Sequence, residues 1–256
     1  MTAKANAIPS VWTRQERRED QPALSRAAIV RVAVEMLDGE GIEALSMRKL
    51  GARLNAGATS LYRHVATKDE LMELAVDEVF GELRRPALGA DAQDAADAAD
   101  AAGAKDAPDA WRIAVAAAAA DFRATALRHP WLSAVLGQAG LAYLGPKLMA
   151  YNEGLAALFE DASFAEPVPA IDALLSYVIG MSTTEAAWLS TVARSGDTEA
   201  EFIAKLMPAV AQAVEGHEHL AKSARTAVPD PAALRDTKFA DGLDIVLDGL
   251  ALRRGR

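Results

Sequence analysis

Residues 45–68 read LSMRKLGARLNAGATSLYRHVATK, and this stretch decides the fold class. Leu50 and Leu54 share one helical face at a spacing of four residues. The Asn-Ala-Gly run at 55–57 then interrupts the pattern, because Asn and Gly tolerate the left-handed backbone that ends a helix. A second helical segment over 58–65 turns its two large aliphatic residues inward. Two short helices joined by a tight turn containing glycine are typical of a helix-turn-helix, whose second helix enters the DNA major groove.

The outward face of the second segment offers hydroxyl, phenol, guanidinium and imidazole groups within two turns. Such groups suit phosphates and base edges. A plain helical hairpin fits the same spacing, so the pattern alone leaves DNA binding and simple packing open. The candidate DNA contacts on this face are Thr59, Ser60, Tyr62, Arg63 and His64, followed by Lys68.

Charge is distributed unevenly along the 256 residues. The net charge is −9, yet residues 1–68 hold 11 Lys/Arg against 7 Asp/Glu, which leaves −13 on residues 69–256. A basic N-terminal unit on an acidic body fits local contact with phosphates. The sequence has no cysteine, no long apolar run and no signal-peptide pattern, so we expect a cytoplasmic protein without a membrane span.

Residues 1–24 lack helical periodicity, and we interpret them as a flexible N-terminal arm. One interpretation is a plain solvated tail. The other is an arm that lays Arg14, Arg17 and Arg18 into the minor groove of DNA. The sequence leaves both open.

Helical periodicity continues through most of the chain, and no sustained alternation predicts a strand. We therefore predict an all-α protein, with a three-helix helix-turn-helix DNA-binding domain over 25–85 and a helical bundle over 111–256. Between them, the Ala/Asp-rich stretch 86–110 lacks the apolar surface that would offset its ordering entropy, so we predict a flexible insertion. A frayed, exposed helix is the alternative, because alanine has a high helix propensity. The predicted helices outside the opening stretch span about 25 to 38 or 40, 67–83, 109–127, 131–136, 141–159, 167 or 169 to 194, 199–214 and 236–252.

Several segments together resemble the TetR family of bacterial transcriptional regulators. Residues 24–83 resemble its DNA-binding domain, most specifically in GATSLYRHV (57–65) and TKDEL (67–71). RHPWL (128–132), LLSYVIGMSTTEAAWL (174–189) and FADGLDIVLDGL (239–250) resemble the ligand-binding domain of the tetracycline-repressor-like branch.

The resemblance implies a ligand-responsive regulator, most often a repressor, that binds a palindromic double-stranded operator as a homodimer and is released by a small molecule. Arg48 matches a family position that touches DNA. Ser46 is a further predicted DNA contact, as is Ala58 through a thymine methyl group. The alternatives are a TetR-like activator, a regulator that needs no ligand, and, from another class, a helical small-molecule-binding protein or enzyme without DNA binding.

By resemblance, the bundle over 111–256 is a ligand-binding and dimerisation domain. Helical bundles bind ligands between apolar walls with a few polar anchors. The predicted pocket residues are Trp111, Phe122, Trp131, Tyr143, Tyr151, Asn152, Tyr177, Met181, Thr184, Glu185 and Trp188. The resemblance also places the long helix from 167 and the last helix at the dimer interface, with Ile171, Leu175, Val178, Leu243, Val246, Leu247 and Leu250 as the predicted contacts.

Catalytic and metal motifs are weak or missing in the sequence. His217 and His219 stand at a loose spacing at a helix end, which favours a solvated turn over a metal site. The G-x-S-x-G, GxGxxG and Walker patterns do not occur. We therefore expect no metal, no cofactor and no catalytic residue. His129 precedes a proline, and it either faces a pocket or ends a helix.

Overall fold

The computed structural model describes residues 24–87, 110–137, 144–220 and 230–254. Every regular element in these residues is a helix, which confirms the all-α prediction. Residues 1–23 of the predicted arm, residues 88–109 of the predicted insertion, and Tyr143 lie outside the described residues.

The N-terminal unit is built from short helices that hydroxyl side chains cap. Ser25, Ser46 and Thr67 each accept a hydrogen bond from a backbone N–H three residues on, at 3.0–3.2 Å, which satisfies a donor that the helix leaves free. The helices are α1 (Arg26–Glu40), α2 (Met47–Arg53), α3 (Ala58–Leu61) and α4 (Lys68–Phe80), with a 3₁₀ turn (Ile42–Ala44) after α1.

Helix α3 is shorter than the predicted segment 58–65. The backbone bonds of Arg63 and His64 go to the third residue back instead of the fourth, so the chain tightens into turns after Leu61. The two inward residues of the prediction are nevertheless buried, because a tight turn carries the side chains in nearly the same directions.

Prolines and a carboxylate set the helix starts in the C-terminal bundle. Four of its helices begin with proline at the first position, where the missing N–H costs nothing. The helices are α5 (Ala110–Arg128), α6 (Pro130–Leu136), α7 (Pro146–Asp161), α8 (Pro167–Ser195), α9 (Glu199–Ala213) and α10 (Pro231–Ala251). The predicted starts at 141 and 236 are corrected to Pro146 and Pro231. Asp230 caps α10 by accepting from two N–H groups, at 2.9 and 3.2 Å.

Two helices organise the packing. Helix α8 lies at the centre of the bundle, in contact with α5, α6, α7, α9 and α10. Helix α4 belongs to both units, because it packs on α1 on one side and on α7 on the other, and ten of its 13 residues are buried. One continuous apolar core therefore runs from the N-terminal unit into the bundle. Among the described helices, none is both long and apolar enough to cross a membrane.

Candidate nucleic-acid interface and ligand cavity

Close packing fixes the turn between α2 and α3. A Cβ atom on Gly51 would lie 2.7 Å from the carbonyl oxygen of Ala56, so only glycine fits without moving that backbone. Asn55 adopts φ 49°, the left-handed conformation that this residue type tolerates better than most. Leu50 and Leu61 are fully buried beneath the turn. These contacts hold α3 at a defined angle on α2.

The predicted DNA-contact residues of α3 and its following turn stand above this core. Tyr62 is 51% exposed, and Thr59 and Arg63 are also exposed, whereas Leu61 and Val65 are buried between them. The half-buried members of the set are Ala58, Ser60 and His64. The sequence thus folds into one short polar ridge over an apolar base, which is the shape that a major-groove reader needs.

The remaining predicted contacts flank the ridge. The Ser46 hydroxyl accepts the backbone N–H of Lys49 at 3.2 Å, so this hydroxyl already caps α2. Arg48 is exposed on the first turn of α2. The Lys68 ammonium donates to the carbonyl oxygen of Ile42 at 3.4 Å, a contact that leaves further donors on an exposed group.

The sequence analysis did not single out two cationic residues on α2. Lys49 and Arg53 both pair with Glu40 at the end of α1, at 3.0 and 2.5 Å. The hydrogen bond and charge of Lys49, with a smaller contribution from Arg53, lower the pKa of Glu40. Their spacing of four residues was a signal, because it places both on one face of a helix.

A cavity and an adjoining groove lie between the helices of the bundle. The inner cavity, of about 210 Å³, is bounded by α4, α5, α6, α7 and α8, and its lining residues are Phe80, Phe122, Leu136, Leu148, Tyr151, Asn152, Leu175 and Ile179. The outer groove, of about 530 Å³, shares Leu136, Leu175 and Ile179 with it. The other residues of the outer groove are Gly137, Asp172, Ser176, Gly180, Thr183 and Thr184. The cavity and the groove therefore adjoin along α8.

The inner cavity has aromatic walls. Phe80 packs edge-on against Phe122 and Tyr151, with ring centroids 6.2 and 5.6 Å apart. Burial, and to a lesser degree the charge of Asp121, raises the pKa of Tyr151, so its hydroxyl stays a neutral donor. Asn152 supplies a half-buried amide beside these rings. Such a cavity suits an aromatic molecule with at least one polar group.

Ten of the predicted pocket residues lie in the part of the chain that the structure describes. Four of them line the inner cavity or the outer groove, and six line neither. Phe122, Tyr151 and Asn152 line the inner cavity, and Thr184 lines the outer groove. The residues that line neither space are Trp111, Trp131, Tyr177, Met181, Glu185 and Trp188. Phe80 was missed, because an apolar residue on α4 looks like ordinary core in the sequence.

Three of the predicted pocket residues that line neither space have packing roles. Trp111 packs against Phe159 and Phe164, with ring centroids 6.4 and 5.3 Å away. The Tyr177 hydroxyl donates to the carbonyl oxygen of Phe239 at 2.7 Å and thereby joins α8 to α10. Met181 is half-buried against the core. Their helical spacing was right for burial, but burial alone does not distinguish a cavity wall from packed core.

The polar groups that were assigned to the pocket on the far half of α8 belong to an ion-pair network. Arg123 donates two hydrogen bonds to Glu185, both at 2.7 Å, and Arg235 donates a third at 3.0 Å. Glu199 accepts from Arg235 and, at 2.6 Å, from the indole N–H of Trp188. Glu185 and Trp188 therefore tie α5, α8, α9 and α10 together. Glu185 thus accepts three hydrogen bonds from two guanidinium groups.

Helix α4 is bonded directly to the helix that carries one cavity wall. The Asp77 carboxylate accepts the backbone N–H groups of Lys147 and Leu148, at 2.8 and 3.1 Å, and so caps the start of α7. Lys147 also pairs with Glu78 at 2.5 Å. Burial raises the pKa of Asp77, although these hydrogen bonds and Lys147 oppose the shift. These bonds therefore join α4 to the start of α7.

Four of the seven predicted dimer contacts are buried by their own chain. Val178, Leu243, Leu247 and Leu250 are between 1 and 7% exposed within a single chain, so they have almost no surface with which to contact a second copy. Ile171, Leu175 and Val246 are half-buried against the same core. The large apolar side chains that α8 and α10 leave exposed are Val168 (64%) and Ile245 (74%), and Leu252 follows α10 directly (72%).

Comparison with known proteins identifies the family. Residues 29–75 match the family described as "Bacterial regulatory proteins, tetR family", and residues 104–254 match "Tetracyclin repressor-like, C-terminal domain". An HTH-type transcriptional regulator from Saccharopolyspora erythraea is 38% identical over 197 residues, which cover 73% of this chain and 75% of the relative. The HTH-type transcriptional repressor DrrR1 from Streptomyces coeruleorubidus is 32% identical over 266 aligned positions, with coverage of 98% and 88%.

A solved structure shares the fold across both units. ActR from Streptomyces coelicolor, in complex with actinorhodin, aligns with a TM-score of 0.69 at 24% identity, covering 92% of this chain and 99% of that chain. The family matches take in both the helix-turn-helix and the C-terminal bundle. The chain belongs to the TetR family of bacterial transcriptional regulators.

Proposed function

We propose that this regulator is a homodimeric repressor that a small aromatic effector releases from a palindromic operator. One observation carries the proposal: Phe80, the last residue of α4, lines the inner cavity. The same helix begins at Lys68, four residues after His64, which is the last residue of the polar ridge. An effector that touches Phe80 thus contacts the helix that follows the DNA-facing residues directly.

The hydrogen bonds of Asp77 connect this contact to the orientation of α4. Because Asp77 caps α7, the two cavity walls made by Phe80 and by Tyr151 with Asn152 are held together. A bound effector that separates these walls works against those hydrogen bonds and tilts α4 relative to the bundle. The tilt changes the spacing of the two recognition helices in a dimer, whose half-sites lie about 34–36 Å apart. The effector shifts DNA affinity only through its different affinities for the two states.

The chemistry of the cavity supports an aromatic effector that is neutral or positively charged. Three aromatic rings wall the inner cavity, and the outer groove adds the polar residues Ser176, Thr183 and Thr184. Asp172 is the one charged side chain among the described residues that line either space, so an anionic ligand would meet repulsion there. The fold neighbour ActR has been crystallised with actinorhodin, so that compound belongs in the screen as a test of this charge preference.

A relative supports repression, and the small number of base contacts that one recognition segment can make supports dimerisation. DrrR1, which aligns with 98% of this chain, is a repressor. A single short recognition segment makes too few base contacts to find one site in a genome, and two copies on a two-fold axis match a palindrome. Exposed Ile245 and Leu252 provide apolar surface for the second copy.

An electrophoretic shift assay with the DNA upstream of this chain's own gene tests the proposal. We expect a cooperative shift with one dimer per palindrome. A thermal-shift screen of aromatic compounds, actinorhodin included, should then find compounds that stabilise the protein and abolish the shifted band. Stabilising compounds that leave the band unchanged would contradict effector release. Higher transcription of a reporter when the protein is present would support the alternative, an activator.

A further inference from the structure

His129 lies at the junction of α5 and α6, where it meets both units of the molecule. It is 7% exposed, and both ring nitrogens face carboxylates. Nδ1 lies 2.7 Å from Oδ1 of Asp38, in the last turn of α1. Nε2 lies 3.2 Å from Oε2 of Glu82, two residues after α4 ends. The imidazole of the bundle thus bridges the first helix of the DNA-binding unit and the end of the connecting helix.

The neighbouring donors orient these carboxylates. The Trp131 indole N–H donates to the same Asp38 oxygen at 2.7 Å, and Arg128 donates to the same Glu82 oxygen at 3.0 Å. Among the described residues, the charged groups of this cluster are Asp38 from α1, Glu82 after α4 and, through its bond to Glu82, Arg128 from α5. Burial acts to raise the pKa of Glu82, but the hydrogen bonds from Arg128 and His129 lower it below its usual value. Glu82 is therefore ionised wherever a histidine exchanges its proton.

Two hydrogen bonds from one imidazole to two carboxylates require two N–H groups. A neutral imidazole has one N–H and one lone pair, whereas the imidazolium has two N–H groups. When the proton is lost, the shorter contact with Asp38 keeps the remaining N–H. The Nε2 lone pair then faces the Glu82 carboxylate, and attraction is replaced by repulsion. The bridge between the two carboxylates is complete only in the protonated form.

We propose that Asp38, His129 and Glu82 form a pH-sensitive latch between the DNA-binding unit and the bundle. His129 is a positioning residue: it holds the ends of α1 and α4 against α6. The latch is closed while the carboxylates are ionised and the imidazole is protonated, and its Glu82 half opens when the imidazole loses its proton. Its meaning for regulation rests on the proposed function, because α4 is the connecting helix there. The tests need neither DNA nor effector.

Thermal unfolding of the DNA-free protein between pH 6 and 8.5 tests the latch. The protonated imidazole stabilises the folded state, so stability should fall as the pH rises. Between pH 6 and 8.5 the parent loses one charge-assisted hydrogen bond. Its Tm should therefore fall by about 3–6 °C more over this range than the Tm of Glu82→Gln does. The amide that this substitution introduces can accept from the imidazolium or donate to the neutral ring, so its bond persists at both pH values. His129→Gln should also flatten the profile, and His217→Gln, at an exposed histidine, should follow the parent.

If the Tm of the parent and that of Glu82→Gln changed in parallel with pH, the proposal would be overturned. Because Glu82→Gln is nearly isosteric, this comparison remains valid even if His129→Gln fails to fold. Amide hydrogen exchange gives the local measurement. After correction for intrinsic rates, segments 36–42 and 80–84 of the parent should lose protection at pH 8.5, while Glu82→Gln should keep it. Equal protection of these segments at both pH values in the parent would also overturn the latch.

Discussion

At the scale of single residues, Asp77 shows how a buried carboxylate can be both useful and costly. It caps α7 by accepting two N–H groups, yet burial raises its pKa above the ordinary 3.8, so ionisation favours the unfolded chain. Its contribution is therefore largest at low pH and falls as the pH rises through the raised pKa. The hydrogen bonds, and not the charge, are what the fold needs at this position.

Substitutions at Asp77 should separate these two effects. Asp77→Ala should lower the free energy of unfolding by about 1 kcal/mol at pH 7, because the cap is lost. Asp77→Asn keeps an acceptor and should cost less, and it should abolish the loss of stability that the parent shows as Asp77 ionises. Urea unfolding at pH 4 and pH 7 measures both. Equal destabilisation by Ala and Asn would show that the carboxylate charge itself is required.

The polar ridge makes a second prediction at this scale. Tyr62→Ala and Lys68→Ala should weaken binding to operator and to scrambled DNA alike, because these groups suit phosphates. Arg63→Ala should cost about 1–3 kcal/mol on operator DNA and relax the preference at one base position. Competition shift assays distinguish the two patterns. Ile113→Ala, at an exposed position on α5, is the matched control and should bind like the parent. Parent-like binding by all three ridge variants would mean that another surface contacts DNA.

At the scale of elements, the proposed function makes α4 the link between the cavity and the polar ridge, and substitutions in the cavity wall test that role. Phe80 lies on α4 and Ile179 on α8, and both line the inner cavity. Phe80→Leu and Ile179→Val should each change effector affinity. Only Phe80→Leu should reduce the factor by which effector weakens operator binding, because only that residue belongs to α4. Operator titrations with and without a compound from the screen measure that factor. An equal loss of coupling in both variants would exclude a special role for α4.

Sequence periodicity predicted elements well where local chemistry defines them. The break at Asn55-Ala56-Gly57 could be predicted because it depends on a few neighbouring residues. The residues that line the cavity could not be predicted in the same way. Tyr151 and Tyr177 are both tyrosines on helices, yet one lines the cavity and the other joins α8 to α10, because tertiary packing assigns those roles.

At the scale of the whole molecule, the apolar stripe of α10 is covered by its own chain. Leu243 and Leu247 are spaced for burial, and in the folded chain α8 and the core bury them, whereas Ile245 points outward between them. A helical stripe indicates that a face is covered but not whether the same chain or a second copy covers it. The interface on α8 and α10 remains a proposal from the family resemblance, and the folded chain restricts which side chains are available for it.

The corrected surface makes a sharper prediction about assembly. Ile245→Glu should yield folded monomers that lose operator binding, because a buried charge without a partner opposes association. Ile113→Glu places the same change on an exposed residue of α5 and should remain dimeric. Light scattering at micromolar concentration, with circular dichroism to confirm folding, measures the outcome. A parent protein that is monomeric, or an Ile245→Glu variant that remains dimeric, would contradict the proposed interface.

The central claim is that the cavity and the polar ridge are coupled through α4, and coupling of this kind is reciprocal. Calorimetric titration of a compound from the screen, into the protein alone and into the protein saturated with operator, tests it most directly. Operator should weaken effector binding by the same factor, about 5–150-fold, by which effector weakens operator binding. Equal effector affinity in the presence and absence of saturating operator would contradict the account.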